Sequence, residues 1–399
     1  MRISTSAIYD ANVSMMNQQQ SKLLHTQQQL ASGQRMLTPA DDPVASARAL
    51  EVIQSDATNT QYATNRNAAI HSASLSESIL QSVTSLLQDV KTTAVQAGGG
   101  TLNASDKQTL ANALSGRLEE LQALANSTDG IGNFLYSGYQ GRTQPFANSA
   151  SGVQYMADDG QRMIQVSSSS QMASSDSGAD IFMRIKNGNG TFSVQPDPAV
   201  TNSGTGLVSQ GVVINPASPL NGNKYQVLFT TPGSYDVIQT FPVIGVPTIS
   251  SGNAYTSGQP ITIGGMQFAV TGAPASGDAF TVSPSTNESM FKTISDLITT
   301  MGTTSATFTN NLDKALNMLD RALDNVLTVR GSLGSRLNEL DALQATGADL
   351  GLNYKTTLSQ LQDVDYSKGI SDLNMQQLSL TAAQKSFKQI SDLSLFNYL

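Results

Sequence analysis

The chain has 399 residues, no cysteine and a formal net charge of −8, from 22 basic and 30 acidic residues. This length allows two or more domains with a buried core, so disulfides are not needed to hold the fold. No basic cluster interrupts the acidic background, which argues against nucleic acid or an anionic membrane as a partner. Charged residues make up only 13% of the chain. That composition suits closely packed subunits and equally suits a low-complexity secreted protein.

The first residues, MRISTSAIYDANVSMM, have neither the apolar core nor the small-residue cleavage site of a signal peptide. No apolar run approaches the ~20 residues that a membrane span needs. We therefore expect no membrane insertion. If the protein leaves the cell, we expect a route that does not use a cleaved signal peptide.

The residue pattern changes twice along the chain. Helical periodicity dominates from residue 3 to about residue 129 and again over 290–399, whereas Gly, Ser, Pro and β-formers dominate over about 133–284. This order predicts one helical module interrupted by an insertion. The expected fold class is therefore a mainly α protein, its helices packed as a coiled-coil bundle, with an inserted β-hairpin region and a small all-β domain.

Two motifs in the insertion predict β-hairpins. ITIGGMQFAV would turn at Gly264-Gly265, and KYQVLFTTPGSYDVIQTF would turn at Pro232-Gly233. The fragments GVQYM, RMIQV, DIFMRI and TFSVQ predict further short strands. We expect the compact all-β domain over residues 188–284, joined to the rest of the chain by the stretch NGNGT at 187–191.

The segment ASGQRMLTPADDPVASA, residues 31–47, interrupts the first helical region. Gly33 can end one helix because it accepts positive φ without steric cost. Asp42 can cap a second helix whose first residue is Pro43, where the missing N–H has no intrahelical partner in any case. Capping does not explain Asp41. We interpret Asp41 as a contact to a neighbouring subunit, with simple solvation as the alternative.

A heptad seam near the C-terminus predicts a packed helical core. Its spacings of four and three residues hold over Leu312, Leu316, Leu319, Leu323, Val326, Arg330, Leu333, Leu337 and Leu340. A second seam, in a helix expected from Val44 to Ala97, comprises Ile79, Val83, Leu86 and Val90. Arg330 is the one charge in the first seam, and a guanidinium at such a position needs a carboxylate. We expect that carboxylate on a neighbouring subunit; the alternative is a partner within the subunit.

Both chain ends carry a narrower seam with a seven-residue repeat. The N-terminal repeat is Met16, Leu23, Leu30 and Leu37, interrupted by Gln20 and Gln27; the C-terminal repeat is Leu373, Leu380 and Phe387, interrupted by Gln377 and Gln384. Ordering one residue costs ~1–2 kcal/mol of backbone entropy, and a buried Leu contributes only ~1.5–3 kcal/mol. So few anchors leave an isolated helix pair marginal. We expect the ends to require neighbouring subunits; the alternative is that they fray.

Several motifs in order resemble the flagellin superfamily. ASGQRMLTPADDPVASA, LQDVKTTAVQAGGGTL and GRLEELQALAN resemble its N-terminal segments, and VRGSLGSRLNEL and DVDYSKGISDLNMQQL resemble its C-terminal ones. Within the superfamily, FLYSGYQGRTQPF, YMADDGQRMIQV, GDAFTVSPS and ISDLSLFNYL are similar to the hook–filament junction proteins. Together the matching regions cover about two thirds of the chain.

The resemblance implies a division into three parts. Axial terminal helices over 1–40 and 365–399 would order on assembly, a helical rod with the β-hairpin region would occupy 41–187 and 285–364, and residues 188–284 would form an outward β-domain. It implies hook-associated protein 1, flagellin, a flagellar type III export chaperone and further copies of this chain in a ring as partners. The location would be the extracellular flagellum. We expect the assembly interface to include Met16, Leu23, Leu30, Asp41, Asp42, Pro43, Arg330, Leu373, Leu380 and Phe387.

Enzymatic chemistry has little support in the residues. The two histidines, His25 and His71, stand in unrelated contexts, and a thiol nucleophile or a phosphate-binding P-loop is missing from the sequence. We interpret Asp158-Asp159-Gly160 as a strand-connecting turn rather than part of a calcium site. We therefore expect a structural adaptor with no metal or cofactor. The rival functions are a flagellin that forms the filament, and an adhesin or glycan-binding protein that uses the β-domain.

Overall fold

The computed structural model describes residues 5–99, 102–150, 152–242, 248–302 and 305–392. These residues form long helices on both sides of a β-rich middle, which confirms the predicted fold class. The helices are α1 (Thr5–Ser32), α2 (Pro43–Ala97), α3 (Ala104–Ala125), α4 (Met290–Thr300), α5 (Ser305–Gln362) and α6 (Tyr366–Asp392). In the described part of the chain, no helix combines the length and apolar character needed to cross a membrane.

The strands are short and pair antiparallel. They are β1 (Phe146–Ser149), β2 (Gly152–Tyr155), β3 (Met163–Gln165), β4 (Gln171–Ala173), β5 (Ile185–Lys186), β6 (Phe192–Pro196), β7 (Leu207–Val208), β8 (Val212–Val213), β9 (Lys224–Thr231), β10 (Ser234–Phe241), β11 (Thr248–Ala254), β12 (Pro260–Ile263), β13 (Met266–Thr271), β14 (Ala279–Pro284) and β15 (Asn287–Glu288). One sheet has the order β11-β10-β9-β14-β6. A second has the order β12-β13-β7, with β8 also paired to β13.

Both predicted hairpins are confirmed. Ile263 pairs with Met266 across the turn of β12 and β13, where Gly264 has a φ of +60°. β9 and β10 pair on either side of the Pro232-Gly233 turn. Alternate residues of these strands, among them Tyr225, Val227 and Phe229, point into one apolar core with β6 and β14.

The fragment DIFMRI was expected to be a strand, and that prediction is wrong. Residues Ala179–Met183 form a π-helical turn, and of the fragment only its last residue, Ile185, lies in a strand, β5. Successive residues of a strand point to opposite faces, whereas a helical turn can bury neighbours together. Ile181 and Phe182 are both buried, and the Phe182 ring lies 5.3 Å from that of Phe146. Burying both side chains on one side therefore favours the turn.

The chain divides into two compact units, residues 66–341 and residues 1–65 with 342–399. In the first unit both predicted leucine seams lie in one core. Along α5 its buried members are Leu312, Leu319, Val326 and Leu333, and those of α2 are Ile79, Val83, Leu86 and Val90. Leu340 is also buried but lies outside this cluster. Leu316, Leu323 and Leu337 pack against that core from partly exposed positions. The heptad pattern thus identified the core contacts of these helices.

Candidate assembly site at the chain ends

The second unit contains the two chain ends, where α1 and α6 pack against each other. The ring centroids of Tyr9 and Phe387 lie 5.1 Å apart. Near the opposite ends of the helices, a Cβ atom on Gly369 would come within 2.8 Å of the Leu30 side chain. Residue numbers rise along one helix as they fall along the other, so the pair is antiparallel. Its predicted seam residues are half-buried: Met16, Leu23, Leu30, Leu373, Leu380 and Phe387.

The polar positions of this seam differ from the prediction. Gln20, Gln27, Gln377 and Gln384 are exposed, and the residues between the apolar anchors are instead Gln19, Thr26, Gln376 and Ala383. Apolar anchors seven residues apart allow the intervening seam residue to lie either three or four positions after the first anchor. The anchors are therefore the same in both registers, and only the residues between them change. The seam remains partly polar, and the buried Oε1 atom of Gln376 has no hydrogen-bond partner among the described residues.

Very little apolar surface is buried in this unit. Within the described residues 9–65 and 342–389, only three side chains are buried: Thr26, Ala45 and Ala49. The large apolar residues of α1 and α6 that remain exposed are Tyr9, Met15, Leu24, Tyr366, Ile370, Met375 and Leu378. In the single chain these apolar side chains are left in contact with solvent.

The segment between α1 and α2 and the segment between α5 and α6 lie side by side. Gly33, with a φ of +72°, follows the end of α1 as predicted. The next residue, Gln34, pairs with Asp363, which follows α5. The Arg35 N–H donates to the Gln362 carbonyl at 2.7 Å, and the Val364 N–H donates to that of Gly33 at 2.9 Å. The two segments, residues 33–42 and 363–365, are therefore held together by backbone hydrogen bonds, and we call this pair of segments the joint.

Arg35 and Asp42 hold this joint on its α2 side. The Arg35 guanidinium donates to the Leu361 carbonyl at 2.9 Å and to Asp42 Oδ2 at 3.2 Å. Asp42 Oδ1 accepts the Ala45 N–H at 3.0 Å, which confirms that Asp42 caps the helix beginning at Pro43. This N–H, followed by Arg35, lowers the pKa of the Asp42 carboxyl.

Asp41 has partners within the chain that neither sequence interpretation included. Its Oδ2 atom accepts the N–H groups of Leu37 and Thr38, each at 2.8 Å, and Oδ1 lies 3.1 Å from His25 Nε2. The Thr38 N–H is the largest cause of the lowered pKa of Asp41. Leu37, which the repeat assigned to the α1 seam, lies beyond the end of α1 in this loop. Asp41 therefore shapes the loop between α1 and α2.

Arg330 belongs to the unit of residues 66–341. Its Nε and Nη2 atoms donate to Glu77 Oε1 at 2.9 and 2.8 Å, and Nη1 donates to Thr84 Oγ1 at 3.3 Å. Glu77 lies on α2 of the same chain, so the expectation of a carboxylate on a neighbouring subunit is wrong. The heptad pattern on α5 contains no information about which α2 residue faces Arg330, and this pairing could not be read from it.

Sequence reasoning also missed Arg35, His25 and Tyr366. A Cβ atom on Gly33 would lie 3.2 Å from the Tyr366 hydroxyl oxygen, so this ring packs against the joint. The available signal was a basic residue two positions after the helix-ending glycine, beside an acidic pair. Such a residue can neutralise the carboxylates and bind the free carbonyls of a helix end.

Comparison with known proteins defines the class. Residues 3–141 match the bacterial flagellin N-terminal helical region. The crystal structure of flagellar hook-associated protein 3 from Legionella pneumophila is similar, with a TM-score of 0.72 and 31% identity, covering 78% of this chain and 98% of that one. The fold is therefore that of a flagellin-like structural protein of the bacterial flagellum.

Full-length similarity narrows the family. Flagellar hook-associated protein 3 of Salmonella typhimurium is 30% identical over 99% of both chains. Phase 1 flagellin of Salmonella naestved is 30% identical, but over only 32% of this chain and 25% of its own length. The chain belongs to the flagellar hook-associated protein 3 family. The junction-protein interpretation is thereby confirmed over the flagellin alternative.

Proposed function

We propose that copies of this chain form a ring that joins the hook to the filament and provides the first surface on which flagellin polymerises. Hook-associated protein 1 would lie on the hook side and flagellin on the filament side. The observation that carries this proposal is the near absence of buried large side chains among the described residues of the chain-end unit. The apolar surface left there supports packing between subunits.

The free energy available from covering this surface is comparable with the cost of association. Burying one large apolar side chain contributes ~1.5–3 kcal/mol. Seven exposed side chains on α1 and α6 therefore represent on the order of 10 kcal/mol if neighbouring subunits cover most of their surface. Association costs roughly 4–15 kcal/mol. The helix pair would thus gain a stable environment only where several subunits meet.

The predicted interface residues divide into groups with different roles. The seam residues Met16, Leu23, Leu30, Leu373, Leu380 and Phe387 would hold the helix pair together and present its outer surface. Asp41, Asp42 and Pro43 would act by fixing the joint, since Asp41 and Asp42 are bonded within the chain. We do not assign Arg330 to the interface, because Glu77 satisfies its guanidinium.

The same exposed surface would need cover before assembly. A flagellar type III export chaperone that binds α6 in the cytoplasm would supply that cover, and the chain would reach the extracellular end of the hook through the export channel. The role is structural and includes no catalytic step. Residues 1–40 with 365–399, 41–187 with 285–364, and 188–284 would be the axial, rod and outward parts of this subunit.

The decisive test replaces two exposed residues of α6, Met375→Ser together with Leu378→Ser. These side chains are 65% and 71% exposed, so the melting temperature of the monomer should change little. Assembly should fail, with cells that do not swim and flagellin released as monomer into the medium. The matched control is Ile131→Ser in the other unit, which is 85% exposed and should leave swimming intact. Normal swimming of the double variant would refute the proposed surface.

Deletion experiments test the function itself. Cells without this protein should keep their hooks and export flagellin but grow no filaments. Deleting residues 188–284 alone should have a milder effect, because the proposed assembly surface lies at the chain ends. Normal filaments on cells lacking the whole protein would contradict the junction proposal. Loss of cell or glycan binding in those cells would then support the adhesin alternative.

A further inference from the structure

The sequence contains three Asn–Gly steps, Asn187-Gly188, Asn189-Gly190 and Asn221-Gly222, all in its β-rich part. An asparagine followed by glycine is prone to spontaneous deamidation. The backbone nitrogen of the next residue attacks the side-chain carbonyl, and glycine has no Cβ to hinder that approach. The three steps are therefore candidate modification sites whose reactivity depends on the freedom of each asparagine side chain.

The fold explains why the sequence contains two of these Asn–Gly pairs, Asn187-Gly188 and Asn189-Gly190. Gly188 and Gly190 have φ values of +60° and +89°, which side chains rarely adopt. A Cβ atom on Gly188 would also overlap the Phe192 carbonyl oxygen. Because β5 and β6 are joined through this turn, the glycines are required by its backbone and the reactive sequence is retained with them.

The asparagines at this turn are held at both ends of their amides. Asn187 Oδ1 accepts the Thr286 N–H at 2.9 Å, and Asn187 Nδ2 donates to Thr286 Oγ1 at 3.1 Å. Asn189 Oδ1 accepts the N–H groups of Thr191 and Phe192 at 3.0 and 2.9 Å. Asn189 Nδ2 donates to the Gly211 carbonyl at 3.2 Å. These bonds restrain the rotation of each side chain.

Asn221 is held in the same way at a separate place. Its Oδ1 accepts the Gly265 N–H at 3.1 Å, and its Nδ2 donates to the Asn215 carbonyl at 2.9 Å. The residue is 9% exposed, so water is largely excluded as well. All three Asn–Gly asparagines thus have both their amide oxygen and their amide nitrogen hydrogen-bonded within the fold.

We propose that Asn187, Asn189 and Asn221 are deamidation sites controlled by folding, reactive in the unfolded chain and protected in the folded one. In the reaction the glycine nitrogen forms a bond to Cγ, the Cγ–Nδ2 bond breaks, and ammonia leaves with the proton of the glycine N–H. Water then opens the cyclic imide at either carbonyl and gives aspartyl or isoaspartyl product. The inference concerns these turns alone and does not depend on the proposed junction function.

The products would affect the fold differently at the three sites. At Asn189 and Asn221 the lost N–H donor is replaced by a carboxylate oxygen facing a backbone carbonyl, which is unfavourable. At Asn187 the facing group is the Thr286 hydroxyl, which can turn and donate instead. Chains modified at Asn189 or Asn221 should therefore refold poorly, whereas an aspartyl product at Asn187 should be tolerated.

The test incubates the full chain at mildly alkaline pH, either folded or in concentrated urea, and follows each site by peptide mass spectrometry. All three should convert in urea, and each should convert more than about tenfold more slowly in the folded protein, because local opening must first free the amide. Equal rates in the two conditions, or no conversion in urea, would overturn the proposal.

Two variants sharpen the result. Gly222→Ala removes one reactive step where a Cβ atom meets no other atom within 4 Å. It should suppress conversion of Asn221 in urea and leave the other sites unchanged. Thr286→Val removes the hydroxyl that accepts from Asn187 Nδ2 and should accelerate conversion of Asn187 alone in the folded protein. Unchanged protection of Asn187 in that variant would show that the Nδ2 bond does not supply the protection.

Discussion

Replacing Arg330 by Leu tests the internal ion pair in the heptad seam. The side chains of Arg330 and Glu77 are 20% and 31% exposed, so the pair is neither fully buried nor at the open surface. Removing one partner of a buried pair costs about 3–5 kcal/mol, whereas an exposed pair contributes about 0–1 kcal/mol. We expect Arg330→Leu to lower the free energy of unfolding by about 2 kcal/mol.

The loss arises mainly from the carboxylate left behind. Glu77 Oε2 already has no hydrogen-bond partner among the described residues, and the substitution removes both donors to Oε1. Adding Glu77→Leu should therefore recover most of the lost stability, because neither charge then remains. Urea unfolding followed by circular dichroism of the four proteins gives the coupling energy.

A surface pair provides the matched control. Arg117 is 42% exposed and lies 3.0 Å from Asp89 and 2.7 Å from Glu120. Arg117→Leu should change the free energy of unfolding by about 0.5 kcal/mol or less. An equally small effect of Arg330→Leu would show that the internal pair does not stabilise the subunit. Additive effects of Arg330→Leu and Glu77→Leu on the free energy of unfolding would contradict the pairing in the same way.

Three further predictions concern single groups. Asp158 accepts the N–H groups of Tyr139, Gly160 and Gln140, which lower its pKa. Its contribution is therefore present above about pH 4 and is lost as the pH falls through the folded-state pKa. Asp158→Asn should be less stable at neutral pH but melt with a shallower dependence on acid. Burial raises the pKa of Tyr136, so the stability linked to its neutral phenol is lost as the pH rises above about 10; Tyr136→Phe should resist alkali better than the unmodified protein in melting experiments. Gly264→Ala should destabilise the β-domain by on the order of 2 kcal/mol, because the φ is +60° and the new Cβ would lie 2.6 Å from that of Leu220. Gly233→Ala, which meets no atom within 4 Å, should cost less than about 1 kcal/mol in the same unfolding assay.

Local chemistry made much of the fold predictable. The capping residue Asp42 and the following proline placed the start of α2 within one residue, and alternating strands around Gly264-Gly265 gave a hairpin. These signals depend on residues close together in the chain, where backbone preferences decide the structure. The leucine seams were equally informative because burial follows the helical period.

Features that depend on distant partners could not be predicted. The seam between α1 and α6 has the same anchors in two registers, and the choice between Gln19 and Gln20 depends on which face α6 covers. The bonds of Asp41 to His25, of Arg35 to Leu361 and of Arg330 to Glu77 join residues that no short motif relates. At DIFMRI, strand propensity was overridden by the need to bury two neighbouring side chains together.

The joint at Gln34 and Asp363 also orders events in time. A ribosome adds about 5–20 residues per second, so the stretch from the end of α1 at Ser32 to the start of α6 at Tyr366 takes roughly 17–67 s to translate. The first helix is complete at the start of that interval, but the helix it packs against begins at Tyr366. Throughout that interval α1 has no partner helix. α1 is therefore translated well before its native contacts with α6 can form.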